Sequence, residues 1–313
     1  MSYLVLASST REARLETAAA RWDAILTQRP DLAPAVALQR RLVGLVIDLT
    51  ETVARNRLPR LSLPPKYLAT KLERGVPALA GEPVPIPVAL ILPTLRRLCT
   101  ELAAGGAGEA ADRILAAIDQ GQLDAGSLLT ASLTRDQIAI RTGAVHRGLA
   151  PDLLWLVAEL AASPFVHALQ HTLFTVNSES SPLSAALAAW NHGYCPACGS
   201  WPALVEAAGG RRALRCSFCA GAWDLPADAC AYCRKGGTGF GTLTLPGART
   251  DRWVETCAAC RGYLKTVDVE ELSPFPLLAI ADLETMDLDM TAMERGYGRP
   301  ALKEFARAAP SHR

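Results

Sequence analysis

The stretch that decides the fold is RCSFCAGAWDLPADACAYC, residues 215–233, in which ten residues separate two Cys-x-x-Cys pairs. A Cys-x-x-Cys pair forms a tight turn, or knuckle, that presents two thiolates, and two knuckles supply the four sulfurs of a tetrahedral zinc site. Two further pairs flank the stretch, CPAC at 195–198 and CAAC at 257–260. Eight of the nine cysteines therefore lie in four knuckles. This spacing predicts metal binding and raises the question of which knuckles share an ion.

The four knuckles can pair sequentially, nested or interleaved, the last as in a RING-type cross-brace. Sequential pairing closes loops of 17 and 23 residues, whereas nested pairing leaves 58 residues between the outer knuckles. Loop entropy separates these options by only about 1 kcal/mol per site or less. The hairpin patterns decide, because each sequential loop contains one, at 201–216 around a Gly-Gly turn and at 241–257. We therefore predict a first site of Cys195, Cys198, Cys216 and Cys219 and a second site of Cys230, Cys233, Cys257 and Cys260.

Two complete sets of four sulfurs leave no coordination position open for water, which predicts structural rather than catalytic sites. The expected cofactors are two Zn²⁺ ions, with iron in four-cysteine sites as the alternative, since four sulfurs suit both metals. Eight ionised thiols and two Zn²⁺ would change the formal net charge from +1 to −3. A thiol–disulfide oxidoreductase would need its reactive pair at the start of a helix in a βαβ unit, and the pattern here does not fit.

The composition favours a folded protein that acts in the cytoplasm. Half of the 313 residues are hydrophobic and 20% are charged, which suffices for a sizeable core. A net charge of +1 gives no general attraction for nucleic acid or for an anionic membrane. The apolar stretch at 86–95 is broken by proline and is short of the roughly 20 residues of a membrane span. We expect no nucleic-acid binding, no membrane insertion and no targeting segment.

The fold class expected is α+β, with an all-α N-terminal domain, two small β-hairpin metal modules and a C-terminal helix. Cysteine usage places the domain boundaries at 1–188 for the helical domain, 189–227 and 228–270 for the two modules, and 271–313 for a helical tail. Apolar residues at three-to-four spacing predict helices at 11–28, 34–55, 86–103, 108–120, 122–147 and 151–175. Pro59, Pro64 and Pro65 predict a loop.

No set of nucleophile, base and acid residues is recognisable, so we expect no enzyme activity and no catalytic residue. His167 and His171 have the spacing of two ligands on one helix face, but no third ligand accompanies them. His192 precedes the first knuckle and would be surplus as a ligand, and Cys99 is expected to be a buried apolar residue. Trp201 and Trp223 each follow a knuckle and are expected to cover a metal site, and Trp253 precedes a knuckle.

Four segments together resemble the formate dehydrogenase accessory protein family, FdhE: WNHGYCPACGSWP at 190–202, LRCSFCAGAWDLPADACAYC at 214–233, CAACRGYLKTVD at 257–268 and MTAMERGYGRP at 290–300. The resemblance implies a helical domain followed by two rubredoxin-like metal modules that use the eight cysteines above. It also implies a cytoplasmic maturation factor, with a chaperone-like role, that binds the catalytic subunit of formate dehydrogenase.

Two other classes of function stay open beside this one, a zinc-ribbon nucleic-acid-binding protein and an iron-carrying redox protein. The sequence leaves undecided whether the chain forms a homodimer and which residues contact the client. It also leaves undecided whether the protein aids cofactor insertion, protects a subunit or controls quality before export.

Overall fold

The structure of the chain is a computed structural model. The structure describes residues 3–4, 6, 9–56, 58–59, 61, 63–175, 181–226, 228–243 and 250–303. Within these residues the chain divides into two compact units. The helical unit consists of Ser9–Ser62 and Leu79–Leu169, and the sheet unit of Met1–Ser8, Leu63–Ala78 and Gln170–Lys303. The predicted domain boundaries stay a prediction, and the end of the predicted tail, 304–313, lies outside the described residues.

Apart from a two-residue strand near the start of the chain, the described elements follow the expected order of helices, then strands, then helices. The helices are α1 Arg11–Gln28, α2 Ala33–Arg55, α3 Pro65–Glu73, α4 Val88–Leu102, α5 Gly108–Asp119, α6 Ala125–Leu133, α7 Gln137–His146, α8 Pro151–Thr175, α9 Pro182–Ala188, α10 Leu278–Glu284 and α11 Met286–Glu294. The strands are β1 Tyr3–Leu4, β2 Pro202–Ala208, β3 Arg211–Cys216, β4 Ala222–Asp224, β5 Phe240–Leu243, β6 Arg252–Cys257 and β7 Tyr263–Asp268. The predicted fold class is confirmed: a mixed helical and sheet fold with the eight knuckle cysteines in the strand region.

In the helical unit, α1 packs on α2, α2 on α4, and α4 on α5. Thr10 caps α1 by accepting a hydrogen bond from the Ala13 amide at 3.2 Å. The apolar face of α4 is fully buried, and Cys99 lies on it with 0% exposure, as the sequence predicts. Burial raises the pKa of the Cys99 thiol to about 12, so this cysteine remains a neutral core side chain.

One helix prediction is wrong, and one predicted loop is a residue too long. The single helix predicted at 122–147 is broken into α6 and α7, because Arg135 adopts a left-handed φ of 60° and Asp136 caps the new helix by accepting from the Ala139 amide at 2.9 Å. The loop predicted from three prolines ends earlier than expected. Pro65 occupies the first position of α3, where a helix needs no amide donor.

One helix within the described part of the chain, α8, is long and apolar enough to cross a membrane by length and composition. In its most apolar 18-residue window, 61% of the residues are buried inside the structure. The core helix of a folded protein has the same properties, so α8 by itself is weak evidence for a membrane span.

The sheet unit contains a seven-stranded sheet in the order β1-β4-β3-β2-β7-β6-β5. The two predicted hairpins are present as the antiparallel pairs β2–β3 and β5–β6. The sequence did not indicate the parallel pairing of β2 with β7, in which Val205 lies opposite Thr266. This pairing joins the two cysteine-rich segments into one sheet.

The direction of the strands places all four knuckles at the same edge of that sheet. β2 begins just after the first knuckle, and β3, antiparallel to β2, ends at the second. β7 is parallel to β2 and begins just after the fourth knuckle, at which β6 ends. β5 follows the third knuckle and runs antiparallel to β6.

Candidate metal centres

The eight knuckle cysteines form two groups, within each of which all four sulfurs lie within 4.8 Å of one another. The first group consists of Cys195, Cys198, Cys216 and Cys219, and the second of Cys230, Cys233, Cys257 and Cys260. These are the groups that sequential pairing predicts, and Cys219 and Cys230 lie in different groups. Each group could hold one metal ion.

The sulfur–sulfur distances fit a tetrahedral ion. In the first group three of them measure 3.6, 3.4 and 3.9 Å, and in the second two measure 3.7 and 3.6 Å. A tetrahedron with sulfurs about 2.3 Å from the ion has about 3.8 Å between them. Four soft thiolates suit zinc and iron alike, so the donor set fits a metal without identifying it.

The four knuckles share one backbone pattern. In each, the amide of the first cysteine donates to the carbonyl five residues later, at 2.9 to 3.0 Å: Cys195 to Ser200, Cys216 to Gly221, Cys230 to Lys235, and Cys257 to Gly262. The residue after the second cysteine is left-handed in every case: Gly199 at 81°, Ala220 at 55°, Arg234 at 64° and Arg261 at 57°. The sequence shows the usual glycine only in the first knuckle, so the other three carry a side chain in a conformation that costs about 1–2 kcal/mol.

Backbone amides also point at the sulfurs. The amides of Phe218 and Cys219 each lie 3.4 Å from Cys216 Sγ, and the Tyr232 amide lies 3.4 Å from Cys230 Sγ. Hydrogen bonds to a charged acceptor favour its charged form. The knuckle backbone therefore stabilises thiolates, the form in which cysteine binds metal.

The first group is closed off from solvent. Its four cysteines are buried, and Tyr3 covers them from β1, with its hydroxyl donating to Gln170 Oε1 at 2.7 Å. Burial, followed by the neighbouring cysteines, raises the pKa of Tyr3 well above its usual value. Sequence reasoning missed Tyr3, because a two-residue strand carries no periodic signal.

Burial and the neighbouring sulfurs oppose ionisation of the first group when no cation is present. Burial is the main cause that raises the pKa of Cys195 well above its usual range, and the adjacent thiols are the main cause for Cys219. A bound cation would reverse this balance. Metal binding must therefore release protons from these thiols.

The second group is more open. Cys230 and Cys257 are buried, Cys233 is half-buried, and Cys260 is exposed. Burial raises the pKa of Cys230 and of Cys260. Burial also acts to raise the pKa of Cys257, but the amides of Cys260 and Ala259 outweigh it and lower the pKa to about 7.

Aromatic rings connect the two groups. The Trp201 ring packs edge-to-face on Tyr194, the residue before the first knuckle, with 5.8 Å between ring centroids. It packs in the same way on Tyr232, inside the third knuckle, with 5.2 Å between centroids. Gly193 also lies against the backbone of the third knuckle, since a Cβ there would come within 1.7 Å of the Ala231 carbonyl oxygen. The segment that leads into the first site is thus packed on a knuckle of the second.

A buried ion pair anchors the first site to a distant loop. Arg215 and Glu206 pair with both side chains 0% exposed. Arg215 also donates to the carbonyls of Ala220 at 3.1 Å and Ser273 at 2.7 Å, and Glu206 accepts from the Ser273 amide at 3.0 Å. Burial lowers the pKa of Arg215, while Glu206 and the sulfurs of the first group act in the opposite direction.

A second ionic network supports the other site. Lys265, 0% exposed, contacts Asp289 at 2.6 Å and Asp282 at 2.7 Å. Asp289 also accepts from the Tyr263 hydroxyl at 2.7 Å and from Arg299 at 2.9 Å. Burial acts to raise the pKa of Asp289, but Lys265 and Arg299 outweigh it and lower the pKa. The network fixes α11 onto the strand that follows the fourth knuckle.

The other residues singled out from the sequence lie away from the sulfurs or have structural contacts. The His192 ring stacks on Tyr194 at 5.0 Å between centroids, and its carbonyl accepts from the Trp223 indole at 3.1 Å. Trp223 is fully buried, whereas Trp201 and Trp253 are partly exposed. In the described part of the chain, the only clusters of side chains spaced to bind a metal ion are the two cysteine groups. His167 and His171 belong to neither cluster.

Comparison with known proteins identifies similar chains. No family model matches the sequence. A protein named "Protein FdhE homolog" from Stutzerimonas stutzeri (strain A1501) is 36% identical over 112 residues, which is 34% of this chain and 36% of that protein. Proteins of the same name from Haemophilus influenzae (strain PittEE) and Shewanella sp. (strain MR-4) are 30% and 33% identical over 116 and 110 residues. The match spans little more than a third of the length of these curated relatives.

A solved structure extends the likeness to the whole fold. "The crystal structure of the FdhE protein from Pseudomonas aeruginosa" superimposes with a TM-score of 0.58, covering 100% of both chains at 24% identity. At that identity the superposition shows the fold alone. The resemblance to FdhE proteins predicted from the cysteine motifs is confirmed, in sequence over about a third of the chain and in fold over all of it.

Proposed function

We propose that each four-sulfur group binds one metal ion and that the expected ion is Zn²⁺, with iron as the alternative. The observation that carries this proposal is the tetrahedral spacing of two separate sulfur sets, with backbone amides pointing at the sulfurs. Elemental analysis of protein purified without air should find two equivalents per chain. A colourless preparation that contains zinc would remove the iron alternative, and a metal-free preparation would refute the proposal.

The role proposed for the whole protein is that of an accessory factor in the maturation of formate dehydrogenase, one that binds the catalytic subunit and carries out no catalysis itself. The likeness to proteins named FdhE supports this role. The architecture suits it, because a maturation factor must hold an incompletely assembled subunit without reacting with it. Knuckles at one edge of a single sheet provide a rigid binding surface.

The client is proposed to dock at the sheet edge that carries the knuckles. Both sulfur groups lie there, and exposed residues of the third and fourth knuckles, such as Arg234 and Cys260, border the second group. Metal binding at a structural site contributes roughly 10–16 kcal/mol to folding in zinc-finger peptides. Loss of either ion is therefore expected to disorder this surface and to weaken client binding.

A pull-down with the purified formate dehydrogenase catalytic subunit tests this role. Capture by the unchanged protein is compared with capture by Cys195→Ala and Cys257→Ala, one variant for each sulfur group. Cys99→Ala is the matched control, because it removes a buried cysteine that belongs to neither group. Circular dichroism and gel filtration establish that each variant is folded. Undiminished capture by folded variants of both groups would refute docking at the metal sites.

A cytoplasmic location without membrane insertion or nucleic-acid binding is part of the proposal. Its support is the burial of most of the apolar window of α8 and the net charge of +1. A nucleic-acid-binding protein would show an affinity that falls steeply with salt, which a filter-binding titration would detect. Gel filtration of the same preparation distinguishes a monomer from a homodimer.

A further inference from the structure

The two sulfur groups differ in their access to solvent, although their knuckles share one backbone pattern. All four sulfur-bearing residues of the first group are at most 3% exposed: Cys195, Cys198, Cys216 and Cys219. In the second group Cys260 is exposed and Cys233 is half-buried. The difference therefore comes from what covers each group.

Bulky side chains cover the first group. Phe218, inside its second knuckle, is 2% exposed, and Trp223 on β4 is 0% exposed. Tyr3 adds a further layer, since a Cβ on Gly221 would come within 2.3 Å of the Tyr3 hydroxyl. Reaching these sulfurs requires displacement of β1 or opening of the sheet.

The second group has less cover among the residues that the structure describes. Tyr232 lies beside Cys260, since a Cβ on Gly262 would come within 2.6 Å of the Tyr232 ring and 3.1 Å of Cys260 Sγ, but Cys260 remains exposed. Ala258 and Ala259, inside the fourth knuckle, carry small side chains and are exposed, as is the glycine-rich turn at 236–239. A small, partly open cleft of about 10 Å³, enough for about one water molecule, lies beside this group and is lined in part by Cys230, Cys257 and Phe240.

We infer that the second group is an exchangeable metal site, and the first a closed one. The inference rests on the proposed metal binding. A soluble chelator or a low-molecular-weight thiol can approach the side of the ion held by Cys260. One donor atom of the incoming ligand then replaces Cys260 Sγ, and the released thiolate takes a proton from water. No electron is transferred, and the next sulfur to leave is the half-buried Cys233.

The inference predicts two well-separated rates of metal loss under native conditions. The ion of the first group can leave only after a local opening, and such openings of buried structure are rare events. We expect loss from the second group to be at least about a hundredfold faster. Incubation of the purified full chain with EDTA without air, followed by elemental analysis over time, should show one equivalent lost and one retained.

Labelling identifies which ion has left. A short pulse of iodoacetamide during the plateau, followed by peptide mass spectrometry, should modify the cysteines of 230–260 and leave those of 195–219 unmodified. Tyr3→Ala uncovers the first group, so it should speed the slow phase and leave the fast phase unchanged. Tyr67→Ala is the matched control, because Tyr67 is a 41% exposed tyrosine on α3.

Each outcome decides the inference. Loss of one equivalent with labelling at 230–260 and a faster slow phase in Tyr3→Ala would support it. Loss of both ions in a single phase, or labelling of 195–219 first, would overturn it and leave metal binding intact. A preparation that contains no metal would refute the proposed metal binding itself, and the inference with it.

Discussion

Replacement of Glu206 by glutamine is expected to destabilise the sheet unit by about 3–5 kcal/mol, the usual cost of leaving one charge of a buried pair without its partner. Glu206 and Arg215 are both 0% exposed, so water cannot solvate the charge that remains. Glutamine has nearly the same shape as glutamate. The substitution therefore removes the charge without creating a cavity.

The remaining contacts of Arg215 determine how large the loss in free energy of unfolding is. Its guanidinium keeps the carbonyls of Ala220 and Ser273 as acceptors, at 3.1 and 2.7 Å, but no other carboxylate is within ion-pair distance of it in the described part of the chain. Two dipoles compensate a buried charge only in part. The cost should therefore fall within the range given and not approach zero.

Hydrogen exchange of peptides from β2 and β3 measures the effect locally, which avoids assuming two-state unfolding for a chain of two units. Since each 1.4 kcal/mol is a factor of ten, the protected amides should exchange between about a hundred and a few thousand times faster. Asp224→Asn is the matched control, because the Arg211–Asp224 pair joins β3 to the neighbouring strand β4 with side chains 37% and 35% exposed. A pair of this kind contributes about 0–1 kcal/mol.

Equal exchange rates in Glu206→Gln and Asp224→Asn would refute the reasoning. Such a result would mean that water or a nearby group solvates Arg215 as well as Glu206 does. A variant that no longer folds would instead exceed the predicted range, and the double replacement of Glu206 and Arg215 by glutamine and methionine should then restore part of the stability.

Three further predictions follow from the same unit. Gly193→Ala should lower the melting temperature and weaken metal retention, because its Cβ would meet the Ala231 carbonyl at 1.7 Å, whereas Gly241→Ala, with open space around it, should change neither. Asp289→Asn should lower the free energy of unfolding at neutral pH and make that free energy fall less steeply in acid. Because the pKa of Asp289 is lowered in the folded protein, its carboxylate contributes stability above about pH 4, and this contribution is lost as the pH falls through the lowered pKa. Urea titrations of both proteins from pH 7 to pH 3 would measure the difference. Acidification should release both ions, since protons compete for the thiolates, and a zinc-sensitive dye would detect the release; retention of metal at low pH would contradict thiolate ligation.

The sulfur groups could be predicted from the sequence because their signals are local. Each knuckle is a four-residue motif, and the Gly209–Gly210 turn indicates the hairpin that brings the first two knuckles together. Long helices with a regular apolar pattern were predictable for the same reason, and the predicted bounds of α8 are those observed.

The features that the sequence did not reveal depend on single residues or on distant contacts. Arg135 breaks a predicted helix through a left-handed φ that an arginine rarely adopts. Tyr3 closes the first group from a strand of two residues. Arg234 and Arg261 take the position that glycine takes in the first knuckle, so the turn is formed without its usual sequence signal. In each case the tertiary structure overrides a local preference.

The parallel pairing of β2 with β7 accounts for the arrangement of the two sites. Parallel strands need a long connection, and here β3 to β6 and three knuckles lie between them, so no local motif could predict the pairing. Had the two strands paired antiparallel, the fourth knuckle would lie at the opposite edge from the first. Because they are parallel, the closed and the open sulfur groups share one edge, where Trp201 bridges them. If the second group is the exchangeable site inferred above, a partner that binds this edge would contact a closed site and an exchangeable one together, and loss of the second ion would alter that surface while the first ion stays bound.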